Sequence, residues 1–150
     1  MSRLAPGVAG RLAQVALSLL LLLGLAAGLS LSWRQIQSGD ACPVLGGVVP
    51  ACHIATGAYL LMTLGVAAVS FGPRRRWRGL GSAVLFAAGW LAATGLAVLG
   101  SALEFSRGCI CPEGPGGVPM CYLSLAACVV FVVLYAGVIR GRRASFRSSV

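Results

Sequence analysis

Residues 111–139 read CPEGPGGVPMCYLSLAACVVFVVLYAGVI. A cysteine- and glycine-rich turn runs directly into an apolar stretch that carries no charge. Glycine and proline punctuate regular structure, whereas roughly 20 apolar residues in a row are what a helix needs to cross the hydrocarbon core. The turn occurs twice. Residues 42–53, CPVLGGVVPACH, align with residues 111–122, CPEGPGGVPMCY, at an interval of 69. Both fit C-P-x3-G-x-V-P-x-C-[HY] without a gap, with six of the twelve positions identical. An apolar helix follows each, His53-Ile-Ala-Thr-Gly-Ala58 matching Tyr122-Leu-Ser-Leu-Ala-Ala127. Each copy therefore reads as helix, outer loop, cysteine turn, helix.

Working outward, four spans are expected at about 12–32, 53–72, 80–103 and 120–139. The first contains the unbroken run Leu19 to Leu23. Backbone in lipid must satisfy its own hydrogen bonds, and such runs lack the alternation of a barrel strand, so helices are expected. The expectation is an all-α integral membrane four-helix bundle, one domain over 1–150, built from two tandem helix–loop–helix hairpins at about 12–72 and 80–139. Gly24 and Gly28, with Gly89, Ala92, Ala93 and Gly95, read as small residues that let helices pack closely. The first span reads as an uncleaved helix: no small-x-small site precedes the polar Trp33-Arg34-Gln35.

Composition agrees with a membrane chain. Of the 150 residues, 58% are hydrophobic and 10% charged, against about a quarter charged in soluble domains. The net charge of +9 does not point to nucleic acid, because ten of the twelve basic residues, all arginine, sit at the termini or between spans two and three. Those are Arg3, Arg11, Arg74, Arg75, Arg76, Arg78, Arg140, Arg142, Arg143 and Arg147. The other two connections hold Arg34 and Arg107 with all three acids, Asp40, Glu104 and Glu113. The positive-inside rule places both termini in the cytoplasm and the cysteine loops outside, in a cell inner (plasma) membrane.

The cysteine turns carry the candidate chemistry. Pro50 and Pro119 suit a first helical turn, which puts Cys52 and Cys121 at helix starts, where free amides and the macrodipole favour a thiolate. Cys42 and Cys52, like Cys111 and Cys121, are ten residues apart across a turn that folds back, so each pair is expected to form a disulfide. Cys109 has no counterpart in the first copy, and Cys128 reads as a buried small hydrophobe. Five cysteines then face the oxidising side, an odd number that leaves an exchanging thiol. Cys109, beside Arg107 and among glycines, is the candidate. His53 and Tyr122 at the helix starts are candidates to hold a quinone, or interfacial residues. Arg34, Arg107 and Glu104 are expected to be solvated or headgroup-bound, and Trp90 to serve the bundle core.

Four helices with two outer cysteine loops resemble, at the level of architecture, the membrane disulfide-generating enzymes of the vitamin K epoxide reductase and DsbB type. That resemblance implies thiol–disulfide exchange coupled to a quinone, with an extracytoplasmic thiol protein as partner. The Cys-x-x-Cys pair of those families is absent here, the nearest being Cys109-x-Cys111. Two other readings stand beside it. The bridges can be staples in an accessory subunit of a membrane complex, or the Cys/His cluster can bind or transport a soft metal such as copper, zinc or mercury.

Overall fold

A computed structural model describes residues 6–39, 42, 44–45, 49–71, 76–107, 111 and 117–147 of the chain. Helix α1 spans Pro6–Ser38, α2 Ala51–Phe71, α3 Arg76–Arg107 and α4 Met120–Arg147. Between α1 and α2 a small antiparallel ribbon pairs β1, Val44–Leu45, with β2, Val49–Pro50. The fold is all-helical, as expected, apart from this ribbon of two-residue strands. It is short enough for Pro50, which has no N–H to give, to end it and start α2.

The helices outrun the apolar spans read from sequence. At 1.5 Å per residue, the 33 residues of α1 reach about 50 Å, against a hydrocarbon core of about 30 Å. All four contain segments long and apolar enough to cross a membrane: Val8–Ser38, Ala51–Val69, Leu80–Ser106 and Met120–Gly141. Their outward faces stay apolar, with Leu23, Leu91 and Val133 each more than 60% exposed. A helix apolar all round is suited to lipid, where those side chains lose no water-facing partner. Length and composition are those of a multi-pass membrane protein.

The core runs along the bundle axis through Leu17, Leu21, Met62, Phe86, Cys128 and Phe131. Each helix packs on the next in chain order, and α4 returns to α1. The α2–α3 seam is the tightest. Gly65 and Gly89 permit it: a Cβ on Gly89 would meet the Ala58 carbonyl oxygen at 2.5 Å, and one on Gly65 the Ser82 carbonyl at 2.8 Å. Gly24 and Gly28 similarly seat Tyr59 and Thr56 of α2 against α1. Ala93 is buried, whereas Ala92 and Gly95 face outward.

Rings and hydrogen bonds fix the remaining contacts. Tyr59 meets Phe131 edge-on at 5.9 Å, and Phe86 stacks on Tyr135 at 3.9 Å. Ser32 Oγ and Thr56 Oγ1 share a hydrogen bond of 3.0 Å between α1 and α2. Trp90 is packed against the core, as the sequence reading had it, and its Nε1–H donates to the Cys128 carbonyl at 2.8 Å, joining α3 to α4.

Candidate functional site

Each cysteine turn is anchored to the helix before it. At the end of α1, Gly39 takes a left-handed φ of +78° that suits glycine and closes the helix with its N–H on the Gln35 carbonyl at 2.9 Å. Gln35, 8% exposed, donates from Nε2 to the Gly39 carbonyl at 2.6 Å and accepts the Cys42 N–H at 2.8 Å. At the end of α3, Glu104 accepts the Cys111 N–H at 2.8 Å. Glu104 is half-buried, in contrast to the solvated role expected from sequence. Arg34 is exposed, while the Arg107 side chain lies outside the described residues.

Cys52 and Cys121 stand in the first turns of α2 and α4, as the prolines before them implied. Cys111 and Cys121 form a disulfide with Cα atoms 6.2 Å apart. It lies flat against α3, with Cys111 Sγ 3.8 Å from the Gly100 carbonyl. The expected Cys42–Cys52 bridge is not formed: both are free thiols, so the first turn holds two thiols where the second holds its expected bridge. Burial, then the bond to Cys52 and the charge of a Cys52 thiolate, push the Cys42 thiol up to about 12. Cys42 therefore keeps its proton at neutral pH, and a nucleophile from this pair would be Cys52.

The two pairs meet on one cavity of about 190 Å³ between α2, α3 and α4. Cys42, Cys52, Cys111 and Cys121 all line it, and Cys128, 2% exposed, lies deeper on its wall. Tyr59 and Ser124 supply the remaining side-chain hydroxyls, and the rest is apolar, with Leu96, Leu99 and Leu103 along α3. The engineered apolar cavity of about 150 Å³ that binds benzene sets the scale: this one admits a single substituted ring. A flat apolar ring with polar atoms at its edge suits such a lining, so the residues fit a quinone headgroup.

His53 and Tyr122 lie outside that lining; His53 is half-buried and Tyr122 39% exposed. Cys109 lies outside the described residues. Among the described residues no three Cys, His or acidic side chains are grouped to hold one metal ion. The sequence reading missed Tyr59, Gly100 and Gln35. Gln35 and Glu104 stand 69 residues apart, like the cysteines they hold, so the interval carried back from the turns would have found them. No family model, curated protein or solved structure matches the chain.

Proposed function

We propose that the chain is a multi-pass membrane thiol–disulfide oxidoreductase whose two cysteine pairs work on a lipid-soluble electron acceptor of the quinone class. One observation carries this reading: a dithiol and a disulfide line the same apolar, ring-sized cavity. Staples alone give no reason for both pairs to face a common space. The arginine distribution argues for cytoplasmic termini and cysteine turns on the oxidising side. Core residues at the 69-residue interval, such as Leu17 with Phe86 and Met62 with Phe131, favour two tandem hairpins.

In this reading Cys52, in the first turn of α2, is the attacking sulfur, and the pair gives up two protons and two electrons as the Cys42–Cys52 S–S bond forms. A quinone held in the cavity supplies the sink for the two electrons and two protons released. Apolar walls keep water from the sulfurs, and Tyr59 and Ser124 present hydroxyls for a ring oxygen. An extracytoplasmic dithiol protein reduces the Cys111–Cys121 disulfide and leaves with its own two thiols joined as a disulfide, with Cys109 as the exchanging thiol beside that bridge. The accessory-subunit reading draws on the Cys111–Cys121 bridge alone.

The test is thiol counting. Full-length reduced protein in lipid nanodiscs is mixed with a short-chain ubiquinone analogue, and free thiols are titrated alongside quinol absorbance. Loss of two thiols per quinol formed, abolished by Cys52→Ser, is expected. An unchanged thiol count, with quinone bound or not, would leave the accessory-subunit reading.

A further inference from the structure

The first cysteine of each turn is held by the same bond from two different side chains. Gln35 Oε1 takes the Cys42 N–H and Glu104 Oε2 the Cys111 N–H, each at 2.8 Å and each from seven residues upstream. The two turns thus differ at this point by one chemical change, a carboxamide for a carboxylate. An ionised carboxylate only accepts, so Glu104 cannot reproduce the bond from Gln35 Nε2 to the Gly39 carbonyl. What it adds is negative charge one hydrogen bond away from a disulfide cysteine that is itself only 8% exposed. Charge is poorly screened in such surroundings.

We propose, building on the oxidoreductase reading, that Glu104 is a positioning residue whose carboxylate makes the Cys111–Cys121 bridge harder to reduce than a glutamine there would. A nearby carboxylate disfavours a thiolate. Destabilising thiolate weakens the reduced pair and leaves the disulfide untouched, so the bridge resists reduction. Gln35 holds Cys42 in the same way without that charge. Once reduced by an external thiol, Cys111 and Cys121 then give up their electrons to an oxidised Cys42–Cys52 pair. One S–S bond forms and one breaks, and two electrons and two protons move from the second pair to the first.

The swap Glu104→Gln tests this, because glutamine keeps an acceptor oxygen for the Cys111 N–H and removes only the charge. Full-length protein in nanodiscs is equilibrated with reduced and oxidised dithiothreitol at about pH 10.5, roughly two units above the ordinary thiol pKa, where thiolate dominates the reduced pair. Acid quenching, maleimide trapping and peptide mass spectrometry then give the reduced fraction of each pair. Glu104→Gln is expected to ease reduction of Cys111–Cys121 about tenfold in equilibrium constant, ~30 mV for this two-electron couple, without moving Cys42–Cys52. A wild-type Cys111–Cys121 potential in Glu104→Gln overturns the proposal, even if Glu104→Ala shifts it, since that pattern marks a purely structural bond. Dithiothreitol is the only reductant, so the shift is readable even in a chain that never reduces a quinone. Conversely, quinone reduction with unmoved potentials removes Glu104 and leaves the oxidoreductase reading standing.

Discussion

Replacing Gly100 with alanine tests the geometry of the site at its most crowded point. A Cβ built there falls 2.7 Å from Cys121 Sγ and 3.6 Å from Cys111 Sγ. Non-bonded heavy atoms settle at about 3.5–4.0 Å, so the bridge must retreat by ~1 Å. It cannot swing away as a flexible side chain would, because one sulfur is rooted in α4 and the other in the turn held by Glu104. Overpacking of this kind costs about 1–3 kcal/mol, and alanine returns up to ~1 kcal/mol through its better helix propensity. Gly100→Ala is therefore expected to destabilise by about 1 kcal/mol net. In a Cys111→Ser, Cys121→Ser background the bridge is gone, propensity dominates, and the same change should stabilise by ~0.5–1 kcal/mol. The four proteins form a double-mutant cycle, read as loss of helical circular dichroism on titrating sodium dodecyl sulfate into mixed micelles. A coupling below ~0.5 kcal/mol, with Gly100→Ala acting alike in both backgrounds, would refute the placement of the disulfide on α3.

Gly89→Leu should part the α2–α3 seam and cost more than ~3 kcal/mol in the same titration, since its side chain has to displace the Ala58 backbone; a change under ~1 kcal/mol would contradict that packing. In the reduced first turn, maleimide at pH 8 should spare Cys42, whose thiol is pushed up to about 12 and opens to alkylation only as pH rises toward that value. Peptide mapping that finds Cys42 modified first would reverse the roles of the pair. Membrane-impermeant thiol reagents on intact, reduced cells should label the cysteine turns and leave Gly79→Cys and Ser145→Cys untouched; labelling of the latter two would overturn the proposed sidedness.

The spans were legible because an apolar run of membrane length leaves few alternatives. Their ends were not. Hydropathy senses the lipid boundary, whereas α4 continues as a helix through Arg140 to Arg147, where the limit is backbone bonding and not solvent. The Cys111–Cys121 bridge could be read from the turn because both partners are local. The meeting of the two pairs on one cavity is a matter of how α2, α3 and α4 pack, and no single stretch encodes it. His53 and Tyr122 illustrate the limit of adjacency in sequence. Each step along a helix turns a side chain by about 100°, which takes His53 and Tyr122 off the cavity, whereas Ala51 and Met120 on the other side of each cysteine still line it. Gln35 lies outside the turn itself, in the helix before it, where the two copies share the 69-residue interval but not the residue type.

The modest size of the cavity bears on how long a visitor stays. Gains run from about 1.5 kcal/mol per heavy atom for the very best tiny ligands down to about 0.3, and at the low end a ring of ~10 heavy atoms gathers only ~3 kcal/mol. A single ring among Leu96, Leu99 and Leu103 therefore has little with which to build a long residence time. A molecule dissolved in the bilayer does not need one. Partitioning concentrates it around the helices, and a dissociation constant near 1 mM corresponds to only about −4.1 kcal/mol. On the proposed function, shallow binding favours turnover: the reduced ring leaves quickly and its replacement is already present in the surrounding lipid.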